Sequence, residues 1–172
     1  MNTPNISVVR GSLLDQDVEA IVNAANTLMR GGGAIDGLIH QRAGFKMLLE
    51  LQRVAPRGCE VGEVVVTPGF ELSQPWVIHT PGPIWRGGNA SENELLANCY
   101  RNSMLKAMEI GAKSIAFCSI STGVYGFPIE RAAPIAFNAI SPLADQFERV
   151  VFAMFGSQEF DVFHNSLITR QK

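Results

Sequence analysis

At 172 residues, 47% of them hydrophobic and 17% charged, the chain is long enough for one domain with a substantial core and too short for two of ordinary size. Fourteen lysines and arginines against sixteen aspartates and glutamates leave a formal charge of −2, so net charge draws it neither to nucleic acid nor to anionic lipid. Its three cysteines, Cys59, Cys99 and Cys118, form no CxxC pair, which indicates neither a zinc cage nor a disulfide framework.

The segment MNTPNISVVRG lacks the charged start and apolar stretch of a signal peptide. No apolar run approaches the roughly 18 residues of a membrane-spanning helix. Strand-length apolar runs then alternate with longer helical stretches. Ile6–Val9 and Val18–Val22 are short and β-branched and read as strands. Helices are expected over Ala34–Ala43, between a glycine run and Gly44, and over Phe45–Val54. Val64–Thr67 and Trp76–His79 give two more strands. Glu92–Ile110 is the best-marked helix, with Ser91 and Glu94 in the S-x-x-E spacing of a capping box and Gly111 at its end. Ser114–Ser119 and Val150–Phe155 are almost continuously apolar, as strands covered on both faces are. Between them Pro128 suits the first turn of a helix reaching about Leu143, which Pro134 would kink or restart. Phe160–Ile168 reads as a closing amphipathic helix. The alternation predicts an α/β fold, three-layer α/β/α with a mixed central sheet, as a single domain over residues 1–172.

In such sheets, ligands bind beyond the carboxyl ends of the strands, and the unusual residues cluster in those loops. In the first cluster a strand runs into Asn23 and Asn26, then Gly31, Gly32 and Gly33, then a helix with Asp36 in its first turn. Consecutive glycines admit close backbone approach, a helix start offers free N–H groups to an anion, and asparagine suits a hydroxyl-rich ligand. The same residues also fit a plain turn, with the asparagines capping local backbone and Asp36 complementing the helix dipole. The second cluster, SISTGVYGFP over 119–128, joins a strand to a helix and suits a diphosphate, although it has neither P-loop nor GxGxxG spacing. It fits an ordinary connection with Tyr125 and Phe127 packed inward as well. In the third, VIHTPGPIWRGG over 77–88, His79 at a strand end reads as a structural histidine and Arg86 as a solvated one. Cys118 reads as a small core residue, and the Asp36–His40 spacing alone is weak evidence of catalysis.

These segments, VNAANTLMRGGGAIDGLIHQRAG (22–44), VIHTPGPIWRGG and SISTGVYGFP, resemble the macrodomain family in its MacroD-type branch, in matching order and across nearly the whole chain. The resemblance implies ADP-ribose binding and hydrolysis of ADP-ribosyl esters: O-acetyl-ADP-ribose, and mono-ADP-ribose on acidic side chains of proteins. It implies no metal and no cofactor. Asn26 would bind the distal ribose and Asp36 would hold or activate the attacking water. Gly31, Gly32 and Gly33 would line the distal ribose and pyrophosphate. Ser121, Thr122, Gly123, Val124 and Tyr125 would wrap the diphosphate, Phe127 would lie near the distal ribose, and Phe155 would stack on adenine. One departure stands out. Where the family has Gly-Asp-Ile, with the aspartate accepting from the adenine amino group, this chain has Gly11-Ser12-Leu13. Arg30, in the altered glycine loop, is expected to face solvent. For Asp36, the helix start should favour the anion, which points to a positioning and electrostatic role. The alternatives are a module that reads ADP-ribose without turnover, or a regulator binding RNA or protein through the same cleft. Nucleic acid is not the expected partner. The chain is expected to be a cytoplasmic monomer.

Overall fold

Each predicted run has a counterpart in the computed structural model, which describes residues 5–172. In chain order these are β1 (Ile6–Arg10), β2 (Ala20–Ala25), α1 (Ala34–Ala43), α2 (Lys46–Val54), β3 (Val65–Pro68) and β4 (Trp76–Pro81). There follow α3 (Glu92–Glu109), β5 (Ser114–Phe117), α4 (Ile129–Ile140), β6 (Arg149–Met154) and α5 (Ser157–Arg170). The strands form one six-stranded sheet in the order β1-β6-β5-β2-β4-β3. All neighbours are parallel except β3 and β4, so the sheet is mixed.

Strand alternation divides the core in two. Ile21, Val77, Ala116 and Val151 face the layer that contains Ile39, Met47 and Leu51 of α1 and α2. Their neighbours Val22, Ile78, Phe117 and Phe152 face Tyr100, Phe137 and Phe163 of α3, α4 and α5. Both sheet faces are therefore covered, which is why β5 and β6 are apolar at successive positions. The result is a three-layer α/β/α sandwich.

Two local expectations need correction. The Ser91–Glu94 capping box does not form: Ser91 is left-handed at φ 61° and its side chain makes no capping bond. The neighbouring Glu92 instead ties down the preceding loop, accepting the N–H groups of Arg86, Gly88 and Ala90 at 2.9, 2.8 and 2.5 Å. Although burial opposes its ionisation, these bonds pull the Glu92 carboxyl down to about 2. Nor does Pro134 break α4. It lies on the exposed side above exposed Glu130, whose carbonyl loses its helical partner where water can replace it. Among the described residues no helix is long and apolar enough to cross a membrane.

Candidate active site

β2 runs three residues beyond the predicted strand, which carries Asn23 into the sheet beside His79 of β4. Both are fully buried. The Asn23 amide nitrogen donates to Asp36 Oδ1 at 2.8 Å and lies 3.1 Å from His79 Nδ1. Asp36 itself is only 4% exposed, and its Oδ1 also lies 3.5 Å from His40 Nε2 one turn along α1. Burial pushes the Asp36 carboxyl above the ordinary carboxylate range, opposed by the Asn23 hydrogen bond and by His40. This reverses the expectation from the helix start, because desolvation outweighs the dipole.

Asn26 fulfils the local reading and leaves room for the functional one. Its Oδ1 accepts from the N–H groups of Leu28 and Met29 at 3.1 and 3.2 Å, and its nitrogen donates to the Gly31 carbonyl at 3.0 Å. A second amide hydrogen remains. Gly32 sits between the two side chains: a Cβ there would lie 3.1 Å from Asp36 Oδ2 and 3.2 Å from Asn26 Nδ2. Gly37 matters equally, since a Cβ on it would come within 2.5 Å of the Gly32 carbonyl oxygen. Gly37→Ala should therefore push the glycine loop away and lower kcat/KM for an ester substrate by about 10²-fold, the usual cost of ~1 Å misplacement. The melting temperature should fall as well, because the roughly 1 kcal/mol by which alanine favours a helix interior over glycine offsets only part of a clash with backbone.

These residues open onto a cavity of about 600 Å³ along the carboxyl edge of the sheet. Sheet order dictates its chemistry. At the end of β1 lie Gly11 and Ser12, beyond β6 lies Phe155, beyond β5 the loop Ser121–Tyr125, and beyond β2 Asn26, Gly32, Gly33 and Asp36. At about 4.8 Å per strand, that row spans roughly 14 Å. Phe155 is a large apolar ring left 81% exposed at one end. In the middle, the N–H groups of Ser121 through Tyr125 donate to no protein acceptor among the described residues, and Ser121 is left-handed at φ 67°. Such a run of free N–H groups suits an anion. The Ser121 hydroxyl is also buried without a partner. An amide and a carboxylate stand at the far end.

Two predicted site residues are not in the cavity. Phe127 turns inward, is 2% exposed and packs on Trp85 with ring centroids 4.8 Å apart. The loop is closed above it by the Phe127 N–H to the Ser121 carbonyl at 2.9 Å. Gly31, left-handed at φ 88°, lies behind the lining with its carbonyl occupied by Asn26. Arg30 does not reach for solvent: its guanidinium donates to the carbonyls of Met29, Ala55 and Pro56. Trp85 supports the site indirectly: its backbone N–H donates to the Tyr125 carbonyl at 2.8 Å, and its ring lies beneath the Arg131 guanidinium.

Cys118 lines the cavity, and burial pushes its thiol up to about 12. Glu159 of α5 and Gly82 line it too, and sequence reasoning missed both. Glu159 offered no motif. Gly82 was visible only as part of a proline-glycine stretch, yet a Cβ there would sit 2.2 Å from Ser121 Oγ. Ser12 lies at the expected place, but its hydroxyl already accepts from the Leu14 N–H at 3.2 Å.

The Macro domain pattern matches residues 22–136. The chain belongs to the Macro domain family. A Macro domain-containing protein of Chlorobaculum tepidum is 46% identical over 165 residues, covering 94% of this chain and 95% of that one. The human ADP-ribose glycohydrolase MACROD2 is 42% identical over 170 residues, which is 96% of this macrodomain and 40% of the human protein. A variant of the Oceanobacillus iheyensis macrodomain solved with ADPR superposes with a TM-score of 0.91 at 35% identity, covering 99% of this chain and 96% of that one. The same bacterial macrodomain solved with ADP gives a TM-score of 0.89.

Proposed function

We propose that this macrodomain binds ADP-ribose and hydrolyses its esters, releasing acetate from O-acetyl-ADP-ribose and mono-ADP-ribose from acidic side chains of proteins. The ring, anion-binding loop and amide–carboxylate pair follow one another in the order base, diphosphate and sugar. The observation that carries a hydrolase over a passive reader is the buried Asp36. A reader has no need of a desolvated carboxylate beside the sugar end, whereas a water held by Oδ2 would be oriented and polarised there. Oδ1 is already occupied by Asn23.

The deciding experiment incubates the purified protein with O-acetyl-ADP-ribose and follows ADP-ribose release. Turnover supports the hydrolase. Calorimetric binding of ADP-ribose without turnover makes the protein a reader, and absence of both leaves only the fold in common with its relatives. The base end gives a separate expectation. Ser12→Asp restores the carboxylate that the resemblance places against the adenine amino group, and aspartate caps the following 3-10 turn at Leu13–Asp15 as well as serine does. A charged hydrogen bond is worth about 1.5–3 kcal/mol, so ADP-ribose affinity should rise by roughly tenfold or more in the same titration.

A further inference from the structure

We propose that His79, which does not line the cavity, is a positioning residue that acts through Asn23 to keep the N–H edge of the Asn23 amide turned toward Asp36. The inference rests on the reading of Asp36 as the residue that carries the hydrolytic step.

The hydrogen-bond pattern leaves His79 a single role. The Asn23 nitrogen has two hydrogens, one directed to Asp36 Oδ1 at 2.8 Å and the other to His79 Nδ1 at 3.1 Å. Nδ1 must then be the unprotonated nitrogen, and Nε2 must carry the proton, which it donates to Thr67 Oγ1 at 3.0 Å. The Thr67 hydroxyl passes its own hydrogen to the Pro68 carbonyl at 3.0 Å, so its oxygen is free to accept. The chain of donors thus runs one way along β3 and β4 and fixes one ring tautomer.

The turned amide is opposed at both contacts that its nitrogen now makes, by the Asp36 carboxylate and by the unprotonated Nδ1 of His79. The Asn23 carbonyl oxygen is buried without a partner, so nothing else distinguishes one face of the amide from the other except the groups at its nitrogen. A ring with its proton on Nδ1 would attract the Asn23 oxygen, and the turned amide would set that oxygen against Asp36. Full burial holds the ring neutral, pushing His79 down to about 3, with His40 adding to the effect. The titratable groups facing Asp36 are His40 from its own helix and, through Asn23, His79 from β4.

The test compares His79→Gln with His79→Asn, using O-acetyl-ADP-ribose. Glutamine can still reach Thr67 but has no acceptor where Nδ1 stands; asparagine places its oxygen close to that position. In His79→Gln, kcat should fall about tenfold or more with KM within about twofold, and the acid limb of the kcat profile should move to higher pH. His79→Asn should recover most of the rate and the original limb. Thr67→Val, which removes the acceptor for Nε2–H, should shift the limb in the same direction without altering the His79 side chain. The Asp36 carboxyl titration followed by carbon NMR reads the same shift without turnover, so the idea stands or falls even if the protein hydrolyses no ester. A folded His79→Gln protein with an unmoved Asp36 titration overturns it. So does a lost rate that His79→Asn fails to recover with the limb in place, since packing alone would then be at stake.

Discussion

Asp36→Asn should lower the rate of ADP-ribose release by a factor of 10² or more while leaving ADP-ribose affinity within a few-fold and the fold at least as stable at pH 7. A positioned carboxylate acting on the attacking water is worth about 10²–10⁴ in rate, and the amide cannot hold or accept a proton in its place. Its shape is kept, and an amide oxygen can still accept from Asn23 as Oδ1 does. The stability expectation follows from burial. A carboxyl whose value is raised in the folded state binds its proton more tightly folded than unfolded. Its stabilising contribution is complete below the ordinary value of 3.8 and is lost as pH rises through the folded value. Above that folded value the natural protein retains a desolvated anion that the variant lacks, a familiar cost of holding a charge where chemistry needs it. Single-turnover kinetics, calorimetry and melts at pH 4, 7 and 9 check all three parts. If the variant kept the natural rate and Asn26→Ala lost it, the chemistry would have to move to the first-loop amide.

The division between what could be read in advance and what could not follows the range of the interactions. β5 and β6 were legible because both their faces are covered and hydrophobic periodicity reports that directly. The clusters around Asn26 and Ser121 were legible because loops that hold ligands need unusual residues within a few positions of one another. What could not be read depends on contacts between distant segments. Asn23 belongs to the strand only because His79 and Asp36 satisfy it from 56 and 13 residues away. The Ser91 capping box gives way to a loop that folds back over the Glu92 carboxylate. Phe127 and Tyr125 are two residues apart on one loop, and whether either faces the cavity is decided by Trp85 on another. The sign of the Asp36 shift was also hidden, since the helix start is local and the burial that overrides it is not.

Two phenylalanines near the end of β6 should separate stability from recognition. Phe152 is fully buried, with ring centroids 5.2 Å from Phe117, 4.9 Å from Phe137 and 5.7 Å from Phe163. Phe152→Ala removes the ring shared by the sheet and the α3–α5 layer, and such truncations cost about 3–5 kcal/mol. For a chain of this size that lowers Tm by roughly 6–20 °C. The effect should reach the anion-binding loop as well. Tyr100 packs 6.0 Å from Phe152, and its hydroxyl joins the Cys118 carbonyl to the Ile120 N–H just before Ser121. Saturating ADP-ribose should restore part of the loss, by about 2.7 kcal/mol at a hundred times Kd. Phe155, three residues on, is 81% exposed on the cavity rim. Phe155→Ala should change stability by no more than about 0.5 kcal/mol. It should weaken ADP-ribose binding by about 1–3 kcal/mol, the worth of a ring stacked on a base. Melting curves and calorimetry on the two variants should therefore give opposite patterns. A Phe155→Ala protein that bound ADP-ribose as tightly as the natural one would remove the base from that end of the cavity, and with it the assignment of Ser12 to the same subsite.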